Sequence, residues 1–133
     1  MPTTKVLIVD DARFIRTMLR DLLQEAGAYR IAGEAENGME AIKEYKSLRP
    51  DLVLMDIAMP KMDGIEATRE IIKADPAATV VMCSAMGQEA LVVEAIDAGA
   101  KDFIVKPFST NRILTVLAKV LEGNSAVSQT GPA

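Results

Sequence analysis

Three short stretches of this chain, Val6-Leu7-Ile8-Val9, Leu52-Val53-Leu54-Met55 and Val80-Val81-Met82-Cys83, are apolar without a break. A strand with one wet face alternates apolar and polar residues, whereas a run that is apolar at every position needs cover on both faces. The runs are too short for helices, so they read as central strands of a parallel sheet. Five strands are expected in all, at Lys5–Val9, Tyr29–Ala35, Leu52–Met55, Thr79–Cys83 and Phe103–Val105. Helical periodicity fills the gaps. Phe14, Met18 and Leu22 recur every fourth residue with Ile15, Leu19 and Leu23 beside them, and Ile113, Leu114, Leu117, Val120 and Leu121 share a face. A strand–helix unit repeated five times is an α/β chain, (βα)5, a doubly wound open parallel sheet with helices on both faces.

The punctuation agrees. Asn37 with Glu40, and Asp63 with Glu66, have the spacing of capping boxes at helix starts. Pro50, Pro60, Pro76 and Pro107 fall in connections, where a missing N–H costs no ladder bond. Gly27 and Gly99 follow helical stretches, where a left-handed residue is wanted. Gly123 closes the last helix, and residues 124–133 are small and polar with no periodicity. One domain over residues 1–122 is expected, followed by a tail over 123–133 that cannot bury enough to order itself. That tail is open to reading as a frayed end, a linker or an appended segment.

With 133 residues, a chain of this kind buries roughly two-thirds of its unfolded surface and needs no disulfide or metal staple. Its core must be aliphatic, because 50% of the residues are hydrophobic, only 4% aromatic, and none is Trp. Lys+Arg 15 against Asp+Glu 19 gives a net charge of −4, without the basic stripe that marks a nucleic-acid surface. No apolar stretch approaches the ~20 residues that span a bilayer. The first apolar run is too short for a signal peptide and is followed at once by acids. A cytoplasmic protein with neither nucleic-acid nor membrane partners is expected.

Two counts remove whole mechanisms. With no His, the Ser-His-Asp and Cys-His arrangements and His-bearing metal sites are excluded. The single Cys83 makes neither an intramolecular disulfide nor a thiolate zinc site, and its apolar run predicts a buried, inert thiol. Carboxylates, hydroxyls and amines remain. In open α/β sheets the ligand edge is the carboxyl end of the strands. Asp10 and Asp11 follow the first strand there, Asp56 the third, Ser84 the fourth and Lys106 the fifth. Each alone is ordinary loop chemistry. Together, three carboxylates on strands about 4.8 Å apart repel one another unless a cation joins them. One lysine offsets part of that charge, and a hard divalent ion with oxygen ligands, Mg2+, fits the remainder.

In order along the chain, VLIVDD, LMDIAMPKMDG, MCSAMG and KDFIVKPF resemble the receiver domain of two-component response regulators, over about Lys5 to Leu121. The stretches CSAMGQ and GAKDFIVKPF resemble most closely the single-domain chemotaxis regulators of that family, the CheY-like proteins. The resemblance implies a flavodoxin-like strand order 2-1-3-4-5. It implies that Asp56 is the phosphoacceptor, that Asp11, Asp56 and the carbonyl of Ala58 hold Mg2+ with Asp10 in support, and that Lys106 and Ser84 contact phosphoryl oxygens, helped by the N–H groups of Ala58 and Ala85. It further implies a cis bond between Lys106 and Pro107, and Phe103 as a switch residue that turns inward.

Phe103 lacks the hydroxyl usual at that position, so a static core ring is its competing reading. The implied partner face is the fourth helix, fifth strand and fifth helix. Leu91, Val92 and Val93 cannot all face the sheet, and Val92 is expected outside, near Phe103. The implied partners are a chemotaxis histidine kinase, a flagellar motor switch protein and a dedicated phosphatase, with the chain itself a monomer. Ala58 and Met86 are expected beside the path of hydrolytic water and, being apolar, to make the phosphate long-lived.

The result is a signalling module that catalyses only its own phosphorylation and slow dephosphorylation. A receiver of a larger regulator, or a phosphorelay intermediate, is the alternative within the family. A Mg2+-dependent phosphatase with an Asp nucleophile is remote, because Asp56 lacks a second acid two residues on. A flavodoxin-like electron carrier is equally remote, because the Asp-Asp-Ala-Arg loop is no phosphate cradle.

Overall fold

Side chains alternate across a strand, so residue parity decides which helix covers which face. The structure, a computed structural model, describes residues 3–123. In chain order the elements are β1 (Thr4–Val9), α1 (Arg13–Ala26), β2 (Tyr29–Ala35), α2 (Gly38–Leu48), β3 (Leu52–Met55), α3 (Gly64–Ala74), β4 (Val80–Ser84), α4 (Glu89–Ala98), β5 (Asp102–Val105) and α5 (Thr110–Leu121). The five strands are parallel, in order β2-β1-β3-β4-β5. This is the expected (βα)5 fold. The expectation for residues 124–133 lies outside the described residues.

Leu7, Val9, Val53, Met55, Val80 and Met82 face one way and pack against α2, α3 and α4 through Ala41, Tyr45, Ile65, Ile71 and Ala95. Val6, Ile8, Leu52, Leu54, Val81 and Cys83 face the other way, onto Leu19 and Leu23 of α1 and Ile113 and Leu117 of α5. The three unbroken runs are therefore double-sided, as their composition requires. Cys83 is buried, and burial pushes its thiol up to about 12, so it stays protonated.

The capping signals work as read. The Asn37 side chain accepts from the Glu40 N–H at 2.9 Å and that of Asp63 from the Glu66 N–H at 2.8 Å. Gly27 and Gly99 take the left-handed conformation at φ 83° and 117°, which a side chain disfavours. Two details differ from expectation. Ser84 is the last residue of β4 rather than the first after it. On α1, Phe14 is 77% exposed and Met18 also faces solvent, while Leu19, Leu23 and the cationic Arg16 are buried. The apolar stripe of α1 is wider than the sheet can cover, and its Phe14 and Met18 side stays outside.

Candidate functional site

All of the singled-out polar residues reach the carboxyl edge of the sheet. Asp10 leaves β1 with its N–H donating to the Ala35 carbonyl at 3.1 Å, and Asp56 leaves β3 with its N–H donating to the Val9 carbonyl at 2.9 Å. These bonds extend the ladder by one residue and set the two acids side by side. Asp11 lies in the bend that follows. Carboxylate oxygens of Asp10, Asp11 and Asp56 all lie within 4.8 Å of one another. Asp10 and Asp56 are buried and Asp11 is exposed, so the cluster has a floor and an open rim. From β5, Lys106 places its Nζ 2.6 Å from Asp10 Oδ2 and 3.8 Å from Asp56 Oδ2. The Lys106–Pro107 bond is cis, as the resemblance implies.

Gly64 makes room for this arrangement. Its N–H donates to the Ile57 carbonyl at 2.9 Å, and a Cβ there would fall 1.8 Å from the Asp56 carbonyl oxygen. No other residue allows α3 to start so close to the acid.

The electrostatics follow from crowding. Burial first, and Asp10 next, push Asp56 up to about 6; Lys106 and the Ile57 N–H, which donates to Asp56 Oδ1 at 2.8 Å, pull the other way without winning. Burial alone would lower Lys106. Its hydrogen bond to Asp10 and the charge of Asp56 outweigh burial and hold it above the ordinary lysine value. A cluster short of positive charge, made of hard oxygen donors and open on one side, fits a small divalent cation.

Comparison with known proteins identifies the chain at this point. A family model described as the response regulator receiver domain matches residues 6–118. The chain belongs to that family. It is 60% identical to the chemotaxis protein CheY of Thermotoga maritima over 116 residues, 87% of this chain and 96% of that protein. Identity to CheY of Bacillus subtilis is 54%, over 88% of this chain and 97% of the relative. Among solved structures, a CheX–CheY complex with BeF3 and Mg2+ from Borrelia burgdorferi superposes with a TM-score of 0.86 at 39% identity, covering 90% of each chain. The protein is a CheY-like response regulator of two-component, chemotactic type.

Within this receiver the remaining site residues take distinct positions. Ser84 is buried, and its Oγ accepts from the Met86 N–H at 3.1 Å, which turns it toward the β4–α4 loop. Ala58, Ala85 and Met86 are exposed on the loops after β3 and β4. Phe103 pairs with Met82 across the ladder and is buried in the core beneath α4. The expectation for Val92 needs correction. Val92 is half-buried and packs against the core, and Val93 is the outward residue at 53% exposure. Ala95 and Ala98 fix the inner face of α4, and of the three consecutive residues that phase turns Val93 away from the sheet. Val105 at the end of β5 is 48% exposed.

The sequence reading missed Arg16. This buried cation donates through Nη1 to the Asp10 carbonyl at 2.7 Å and through Nε to Glu34 at 2.9 Å. Its signal was present: position 16 is in phase with Leu19 and Leu23, so a cation there lies on the covered face.

Proposed function

We propose that this receiver takes a phosphoryl group from a histidine kinase onto Asp56, with Mg2+ bound, and in that state docks on the flagellar motor switch. One observation carries the reading: three carboxylates from two strand ends share a pocket with a lysine that reaches two of them. Asp11, Asp56 and the Ala58 carbonyl would hold Mg2+, with Asp10 in support, and the ion would neutralise charge on phosphoryl oxygens.

The protein's own groups do the rest. A carboxylate oxygen of Asp56 bonds to phosphorus as the donor's P–N bond breaks and its electron pair leaves with the imidazole. That donor belongs to another protein, because this chain has no His. Lys106 neutralises one phosphoryl oxygen, and the N–H groups of Ala58 and Ala85 donate to others. The Ser84 hydroxyl exchanges its present bond to the Met86 N–H for a bond to a phosphoryl oxygen. Positioning and charge stabilisation account for most of such a transfer.

Phosphorylation adds about two negative charges and three strong acceptors, enough to reset the β4–α4 loop. The Phe103 ring lies inward in this structure; turning Ser84 toward the phosphoryl group holds it there and fixes the α4–β5–α5 face that the partner reads. Val93 and Val105 are the apolar contacts of that face. The protein works in the cytoplasm as a monomer, with a separate phosphatase ending the signal.

Incubation with acetyl phosphate and Mg2+, followed by intact mass, tests the chemistry. One phosphoryl group should appear, and it should be absent after EDTA treatment and absent in Asp56→Asn. EDTA-sensitive incorporation that persists in Asp56→Asn would place the acceptor elsewhere. Phosphorylation-dependent binding to a motor switch protein, rather than to a second-tier phosphotransferase, tests the output.

A further inference from the structure

Arg16 is a buried cation that the phosphoryl chemistry above does not use. A guanidinium loses hydration on burial and is tolerated only when its donors find acceptors. Here its charge is answered by β2 and the residue just after it: Nε meets Glu34 Oε1 at 2.9 Å and Nη2 lies 3.6 Å from Glu36 Oε1. Glu34 pairs with Arg20 as well. The remaining bond, Nη1 to the Asp10 carbonyl at 2.7 Å, goes to a neutral oxygen and is not needed to balance charge. It is a directional contact.

We propose that Arg16 is the positioning residue of the acidic loop, setting the direction of Asp11 through the Asp10–Asp11 peptide. A peptide unit is planar, so holding the carbonyl of Asp10 also holds the N–H and Cα of Asp11, the point from which the Asp11 side chain departs. Asp10 has other anchors: its N–H to Ala35, its Oδ1 accepting from the Ala12 N–H at 2.9 Å, and its Oδ2 on Lys106. The Asp11 carboxylate has no hydrogen-bond or ion-pair partner among the described residues, and it is exposed. No side-chain partner among the described residues holds Asp11 in place, so the position of its Cα, set by the backbone, limits whether the carboxylate reaches Asp10 and Asp56. The planar fork of Arg16 ties that backbone to β2, a rigid element, and outer contacts of this kind tune metal affinity.

This inference rests on the proposed binding of Mg2+ to the acidic cluster, and the test separates the two. Mg2+ affinity is measured by titration calorimetry in wild type, Arg16→Met, Arg16→Lys and Arg20→Met, together with thermal midpoints and acetyl phosphate rates at saturating Mg2+. Arg16→Met should weaken Mg2+ binding roughly tenfold, with the phosphorylation rate recovering at saturating Mg2+. Arg16→Lys keeps the charge beside Glu34 and a near-native midpoint, yet lacks the fork and should show the same loss of affinity. Arg20→Met should lower the midpoint and leave Mg2+ affinity unchanged.

Native Mg2+ affinity in Arg16→Lys overturns the inference, because charge alone would then suffice. Equal weakening in Arg20→Met overturns it too, because general loosening of the network would then be the cause. A wild-type protein that neither binds Mg2+ nor takes up phosphate overturns the proposed function itself, and the inference falls with it.

Discussion

Asp56 sits where its neighbours oppose its charge. Held at about 6 instead of 3.8, it keeps in the folded state a proton that the unfolded chain has already released. Folding then binds more protons than unfolding does, so the stability due to this group is full below the unfolded value and lost as pH rises through about 6. Asp56→Asn is neutral at every pH. At pH 7 the variant should melt above wild type, and the gap should close as pH falls toward 4; a gap that ignores pH would deny the crowding. Added Mg2+ should close it at pH 7 as well, because a cation answers the same repulsion. Asp11 and Lys106 divide the remaining work. Asp11→Ala should lose Mg2+ binding and phosphorylation together, whereas Lys106→Ala should bind Mg2+ at least as well, having lost a competing cation, and still signal poorly. Wild-type Mg2+ affinity in both variants would show that the roles are wrongly divided. The acids were legible in the sequence because a parallel sheet sends every strand end to one edge. The burial of Arg16 was legible from its phase with Leu19 and Leu23, but its bond to the Asp10 backbone carbonyl was not, because no side-chain pattern announces such a contact.

At the scale of elements, legibility followed the number of covered faces. A strand buried on both sides has no phase to assign, so β1, β3 and β4 could be located to within a residue from unbroken apolar runs. A helix covers one face, and when apolar residues run consecutively the phase is undetermined. Leu91-Val92-Val93 in α4 and the broad stripe of α1 are both such cases, and both resolve only when neighbouring elements are in place. In α4 the phase has a consequence for binding. Val93→Asp adds charge to a residue already in water and should change stability by under about 0.5 kcal/mol. On the proposed partner face it should still weaken docking of the phosphorylated protein on the motor switch. Val92→Asp forces a carboxylate against the core and should cost about 1–3 kcal/mol. Thermal melts and a binding assay read both variants, and an unaffected Val93→Asp complex would take α4 out of the interface.

At the scale of the whole molecule, the site draws on four separate connections, after β1, β3, β4 and β5, while the sheet beneath them is packed from both sides. A packed sheet does not deform gradually, so a signal has to be carried by loop rearrangement. Under the proposed function the duration of that rearranged state would be the lifetime of an aspartyl phosphate, so the loops would bear on time as well as shape. Ala58 and Met86 are exposed on the two loops that flank Asp56 and Ser84, and neither can orient an attacking water. Ala58 offers no side-chain hydrogen bond, and Met86 is a flexible apolar cover. Orientation of the attacking group supplies a large part of such a barrier. The phosphoprotein should therefore decay slowly alone and faster with a phosphatase that contributes its own polar side chain. The opposing possibility is physical too: a small residue at position 58 leaves the pocket open to solvent. Ala58→Asn combined with Met86→Glu separates the two, because it narrows the opening while adding groups that can hold water. Measured as loss of phosphoryl label after removal of the donor, decay should become several-fold faster. Slower or unchanged decay would mean that access, or the surroundings of Asp56 itself, sets the lifetime.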